Sequence, residues 1–488
     1  MSEHHGKTYR PWEPHRYRHE AHSPAAKRPA GDVVFFLLDT MPKLDVSRFY
    51  APDAHETRGA PPCDPAMMVC LLLYAYGVGV CSRRKIAQAC ERNLACIAMV
   101  GTERPDFRTI SDVRTGHLDA FADVCVQVLR VAGETGMGKL GNVSTDGTKI
   151  QGHAARPKAM SYGSMKKAAE RLRAEMEALV GHAHPQDAAD DAALGRRRGD
   201  ELPAELARRE DRLATIAAAM QRLEARAKAE ADAERQRRAA AERQRTGTTR
   251  RGKAPTPVDE TPDDNAQTNC TDPELQSMRT NTKGWESCGH AHARVDAAHQ
   301  ISWACDVTAE AHDTQQAPPM AHVTLAHLEP AGIETPRDAS GAAQKIPATY
   351  DSGYDSEAAA AAVEPVGFDP YMAMDRQRHQ APAAEAIDPP ATAKDHMAAN
   401  VRTPEGSALY AGSTVIVEPV FGQIKDVRGF RRFLRRGWDN IRGAWRLVCW
   451  THHRLKIWRS ECVPLNVAPE KRASYAPQMA LRRVSCLL

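Results

Sequence analysis

Cysteine pairs are what this chain most plainly lacks: its 488 residues hold 12 cysteines and no CxxC. Thiols scattered in this way through a long, charged chain exclude a disulfide scaffold and read as reduced side chains of a cytoplasmic protein. Long apolar runs are missing too. The longest, MMVCLLLYAYGVGV at residues 67–80, falls short of the roughly 18 residues that a membrane span needs. No apolar core opens the N-terminus, so a secretory signal is not expected. A soluble, intracellular chain without a membrane partner follows. Acids are scarce in one region above all: residues 425–459 carry eleven Lys and Arg against Asp426 and Asp439, a local +9 within a net charge of +4. Such a patch faces polyanions. The length allows two or three domains and a sizeable core.

What is present centres on residues 415–438, VIVEPVFGQIKDVRGFRRFLRRGW. Glu418 is the only acid between Glu405 and Asp426, and Lys425, Arg428, Arg432 and Arg435 follow it at helical steps. Val420, Ile424, Val427 and Leu434 step by four, three and seven, so the spacing predicts a helix with a buried apolar stripe and a basic stripe headed by a carboxylate. Pro419 belongs in a first turn or at a kink, which sets Glu418 near the helix entrance. A carboxylate beside a cationic track suits a divalent ion held against phosphate. The same pattern also fits a solvated amphipathic helix with one acid by chance.

Taken in order, residues 1–60 read as a polar arm in which only residues 32–39 are ordered. Short helices are expected over residues 67–76, after Ser82 as N-cap, and from Thr109 or Ser111 to the glycines at 133–136. Residues 61–138 thus form an all-α domain, with Arg83, Arg84 and Lys85 opening a helix whose amides favour phosphate. A DNA-binding domain and a plain helical bundle both fit. Residues 139–152 change to a strand carrying Asp146, a metal ligand or equally an Asp-Gly turn. Over residues 165–265, Met165, Ala169, Leu172, Met176 and Leu179, then Leu206, Leu213, Ile216, Met220 and Leu223, keep a seven-residue register. This predicts a two-helix coiled-coil insertion bending within residues 181–203. Residues 292–313 read as a hairpin followed by a helix, a third strand ends at Asp351, and an alanine-rich helix follows. Residues 371–400 are an irregular connection and 461–488 a loose tail. Cys288, His290 and His292 share a strand face and bring zinc into consideration, but their spacing matches no standard finger and solvent-facing histidines are the plainer reading.

Asp146, Asp351 and Glu418 now stand on strand, strand and helix. STDGTKI resembles the first-Asp strand of the DDE transposases of bacterial insertion sequences, YDSGYDSE their A-D-x-G-Y segment, VEPVFGQIKDVRGFRRFL their Glu helix, and RPDFRTISDVRTGHL their N-terminal helical domain. The resemblance spans residues 61–458. It implies an α/β fold: an RNase H-like mixed sheet with flanking helices over residues 139–164, 266–370 and 401–460, interrupted by the coiled-coil insertion, plus the N-terminal all-α domain. It further implies a transposase that cleaves and rejoins double-stranded DNA at its element's terminal inverted repeats and at target DNA. Asp146, Asp351 and Glu418 would then be catalytic and hold two Mg2+ or Mn2+ ions. Lys149, Lys425, Arg428, Arg431, Arg432 and Arg435, with Arg83, Arg84 and Lys85, would contact DNA. A homodimer or higher assembly at the nucleoid, in the cytoplasm, is the implied setting. Two departures stand out: AGST fills residues 411–414 where the family carries a base after Tyr410, and Tyr350 replaces an alanine. A decayed copy that binds ends without cutting, and a stand-alone metal nuclease, are the alternatives.

Overall fold

The computed structural model describes residues 24–460 apart from 30, 51–61, 139, 154–158, 195–203, 245–256, 273, 281–283, 338–339, 342, 355 and 373–391. Its first half is helical: α1 Val33–Thr40, α2 Ser47–Tyr50, α3 Pro65–Gly77, α4 Arg83–Arg92, α5 Leu94–Val100, α6 Phe107–Gly116 and α7 Leu118–Glu134. Several starts have a local cause. Asp64 accepts from the Met67 N–H with Pro65 in the first turn, Asn93 caps α5, and Asp106 caps α6 by accepting from the Arg108 and Thr109 N–H groups. Ser82 does precede α4, yet its side chain makes no cap bond. The expected third helix is two, α6 and α7, broken at His117. The N-terminal arm also needs correction. Val34, Leu37 and Phe49 are buried in the core that the helices and the sheet share, so residues 33–50 are packed rather than a polar tail. Burying each such side chain contributes about 1.5–3 kcal/mol, which outweighs the polar residues between them.

Beyond lie β1 Val143–Gln151, β2 Ala159–Ser161, α8 Tyr162–Leu194, α9 Ala204–Gln244, β3 Gln267–Asn269, β4 Gln276–Arg279, β5 Trp285–Asp296, β6 Ser302–Thr308 and α10 Ala317–Leu328. Then follow β7 Ile346–Tyr350, α11 Glu357–Val363, β8 Phe368–Met372, α12 Ala393–Arg402, α13 Pro404–Ala411, α14 Ser413–Gly422 and α15 Trp438–Arg459. The main sheet runs β5-β1-β7-β8, with β4 and β6 both on β5. β5 is antiparallel to β1 and β6, whereas β7 is parallel to β1 and β8 to β7. The sheet is therefore mixed, as the sequence implied. α12 falls where an irregular connection was expected, and β8 runs two residues into it. Phe368, Pro370 and Met372 alternate inward on β8, and an edge strand tolerates the N–H that Pro370 lacks. α15 lies across the sheet and the helical domain together, burying Trp445, Trp450 and Val448.

The insertion has its own small core. Met165, Ala169 and Leu172 of α8 are buried with Ile216 and Leu223 of α9, and Leu213 and Met220 pack against them, while Leu179 and Leu206 lie outside the described side chains. The pair is antiparallel: Tyr162 bonds to Glu224 and, further along α8, Glu175 accepts from Arg209. α8 continues to Leu194, so the bend expected from residue 181 does not begin there, and the rest of that expectation, residues 195–203, lies outside the described residues. At its base β2 pairs with β3, with Ser161 opposite Gln267. Those ends are close enough for a short linker. Replacing residues 162–266 by a few Gly and Ser is expected to leave one cooperative thermal transition near that of the full chain; loss of cooperativity would mean that the hairpin is part of the main core.

Candidate active site

Parallel register brings two of the three acids together. Thr145 of β1 pairs with Tyr350 of β7, so Asp146 and Asp351, each one residue further on, end side by side. α14 packs over β1 and β5 through Ile416, Val417 and Val420, and Glu418 is exposed between them. Glu418 sits in the middle of α14 rather than near its entrance, with Pro419 inside the helix. The carbonyl of Val415 that Pro419 cannot bond is taken by Gln300, whose Nε2 donates to it at 3.3 Å, and Gln300 reaches there from a positive φ of 59°.

Burial pushes the Asp146 carboxyl up to about 7, against the pull of the Gly147 N–H that it accepts at 2.6 Å, and the charges of Asp351, Asp313 and Glu418 push it further. A crowded, desolvated carboxylate is stable as an anion only with a cation beside it. Lys425 stands against the same stretch of β1, half-buried, its ammonium donating to Thr148 Oγ1 two residues along from Asp146, and burial lowers its pKa. Three carboxylates offer only hard oxygens, which fit Mg2+ or Mn2+.

Below this group lies a buried polar layer that the sequence did not announce. Arg294 is fully buried, donates to Thr145 Oγ1 at 2.8 Å and to the Tyr350 hydroxyl, and stacks on Phe368 with its Cζ 4.6 Å from the ring centre. Tyr350 is thus not an idle replacement: its hydroxyl accepts from one nitrogen of the buried guanidinium, whose Nη1 has no hydrogen-bond partner among the described residues, and the contact ties β5 to β7 across β1.

The basic residues divide. Arg428 is 6% exposed and donates to the carbonyls of Tyr76 and Val448 and to Thr451, so it bolts α3 to α15 and has no face for DNA. That overturns its sequence assignment. The cause is the chain's course: after α14 a π-helical turn at Gln423–Val427 ends the helix, Gly429 takes a φ of 66°, and the following residues run beside β1, where Gln151 bridges Arg432. The apolar stripe stops with the helix, leaving Val420 and Ile424 buried but Val427 76% and Leu434 42% exposed. Arg431 pairs with Asp426, Arg432 donates to Gln151 Oε1 at 2.7 Å, and both are exposed. Arg435 is half-buried and reaches Ser111 of α6. Lys149 donates to the Arg279 carbonyl at 2.9 Å. Arg83, Arg84 and Lys85 are exposed, and the guanidiniums of Arg83, Arg84 and Arg108 gather at 5.3–5.8 Å around the Phe107 ring.

His290 and His292 point inward, not to solvent, at 3% and 0% exposure. Asp313, between β6 and α10, meets them: its Oδ1 is 3.3 Å from His290 Nε2 and 3.7 Å from His292 Nδ1. Burial holds both imidazoles below their usual pKa, His292 at about 3, and raises that of Asp313. Sequence reasoning missed Asp313, which stands in a loop without periodic pattern. The i, i+2 histidines were the only signal that a third group would meet them.

Two family models match this chain. One, described as a transposase domain (DUF772), covers residues 23–116, and the other, a transposase DDE domain, covers residues 377–458. The second includes Glu418 and neither aspartate. No curated protein and no solved structure matches.

Proposed function

We propose that the chain, which two transposase models match over residues 23–116 and 377–458, is a transposase that cuts DNA at the ends of its own insertion sequence and joins those ends to a target. The observation that carries this is the convergence of Asp351 and Glu418 on the half-buried, charge-crowded carboxylate of Asp146. The strand order β6-β5-β1-β7-β8, antiparallel then parallel, supports an RNase H-like core. Asp146, Asp351 and Glu418 would hold two Mg2+ or Mn2+ ions, which when bound neutralise charge at phosphorus and lower the pKa of the attacking water or 3′-hydroxyl. The protein's own part is positional. α14 holds Glu418 over β1, the Arg294–Tyr350 contact keeps β7 in register so that Asp351 stays beside Asp146, and Lys425 sets a positive charge at the strand's open side. Lys149, Arg431, Arg432 and Arg435 would take phosphates of the bound DNA. A dimer or larger complex in the cytoplasm is the setting we assign, with two element ends held at once.

The test is incubation of the purified chain with DNA carrying the inverted repeats that flank its coding region. Nicking at the repeat end in Mg2+ supports the proposal; tight binding with no cleavage in Mg2+ or Mn2+ replaces it with an end-binding protein without chemistry. The N-terminal helices carry a second expectation. Replacing Arg83, Arg84 and Arg108 by Ala should weaken binding and flatten the plot of log affinity against log salt by roughly 0.9 per lost phosphate contact. An unchanged slope would move the DNA path off this face.

A further inference from the structure

The loop between β6 and α10 brings a carboxylate to two buried histidines, and nothing in the reaction proposed above uses them. One nitrogen from His290, one from His292 and one oxygen of Asp313 all lie within 4.8 Å of one another. Each histidine has one ring nitrogen engaged by a neighbour, as metal-bound imidazoles do. His290 Nδ1 lies 3.1 Å from the Glu310 carbonyl, which accepts its proton and leaves Nε2 a lone pair. His292 Nδ1 is held at 2.9 Å by the Tyr354 hydroxyl, and its Nε2, fully buried, has no hydrogen-bond partner. Asp313 Oδ1 likewise has none. Leaving such atoms bare costs about 1–3 kcal/mol each.

Space for an ion is kept by a missing side chain. A Cβ on Gly147 would fall 2.5 Å from His290 Nε2, 2.6 Å from Asp313 Oδ1 and 2.8 Å from His292 Cε1. Gly147 stands opposite His292 in the β1–β5 ladder, so the cradle lies on the face of β1 turned away from the Asp146 side chain. Gly353 leaves room in the same way for the other oxygen, Oδ2, which is 3.0 Å from where its Cβ would be.

We propose that His290, His292 and Asp313 form a cation site separate from the three-carboxylate group, taking a borderline divalent transition ion such as Zn2+, Co2+, Fe2+ or Mn2+. Two imidazoles and one carboxylate are the donor set that such ions prefer, whereas Mg2+ favours oxygen alone. Bound there, the ion ties the 309–316 loop to β5 behind Asp146.

The probe is Co2+ added to the metal-free full chain, followed by dialysis against excess Mg2+. About one Co2+ per chain should remain, with a visible ligand-field band, and the Asp146→Asn, Glu418→Gln double variant should hold the same amount. Asp313→Asn and His292→Gln should lose the ion and the band, as should Gly147→Ala, which keeps all three ligands and fills the cradle. Melting curves identify any variant that fails to fold, and the parent's retention against Mg2+ decides the matter without it. Release of Co2+ into Mg2+, retention by folded His292→Gln, or loss in the double variant would each overturn the site. None of these readouts depends on DNA cleavage, so failure here leaves the transposase reading standing.

Discussion

Glu418→Gln is expected to lower strand cleavage by on the order of 10³-fold while DNA affinity stays level or rises slightly. The change keeps the shape of an exposed side chain on α14, so the fold is not at issue. It removes one of the three charges that crowd Asp146. Ion-held charge at a reacting phosphoryl group is worth several kcal/mol, and each 1.4 kcal/mol is about tenfold in rate. Affinity behaves differently because phosphate contacts, not the carboxylate, supply it, and one fewer negative charge near DNA is neutral to favourable. Cleavage in Mg2+ and equilibrium binding across a salt series would be measured on the same end-bearing DNA. A variant that cuts as fast as the parent would remove Glu418 from the site.

Arg428→Ala should act on stability instead, lowering it by about 3 kcal/mol or more. The guanidinium is buried and holds the carbonyls of Tyr76 and Val448 and the hydroxyl of Thr451, groups from α3 and α15 that would be left without that donor. Gly79→Ala should have a similar effect from the other side, because its φ is 83° and a Cβ there would sit 2.4 Å from the Arg428 carbonyl oxygen. For comparison, Arg432→Ala removes an exposed side chain bonded to Gln151 and should change stability by less than about 0.5 kcal/mol. Denaturant melts read all three directly. If Arg428→Ala melts with the parent but flattens the salt slope of DNA binding, the residue is a phosphate contact after all and its buried setting is wrong.

That contrast shows where the residue pattern stopped being informative. Stepping by three and four from Glu418 found Lys425, Arg428, Arg432 and Arg435 on one ideal helix, but the helix ends in a π-turn before Arg428. Two glycines and a proline within residues 419–429 were the visible warning. Past that turn, spacing along the chain no longer says which residues share a face.

The strand bearing Asp146, the strand ending before Asp351, the α8–α9 hairpin and the apolar half of α14 were all legible from local pattern, because each is set by side-chain periodicity within a single element. Position in the chain likewise sufficed to mark the three acids, since each stands in a short motif of its own. Pairings across the fold were a different matter. That Asp146 and Asp351 are neighbours follows from parallel β1–β7 register, that buried Arg294 finds two of its acceptors follows from Tyr350 lying across from Thr145, and that Asp313 meets two histidines follows from where a loop lands. Arg428 and Arg432 are both arginines of one basic run, yet one is a buried bolt and the other a surface charge. The physical reason is common to all four cases: burial, desolvation and hydrogen-bond partners come from residues distant in sequence, and no local pattern carries them.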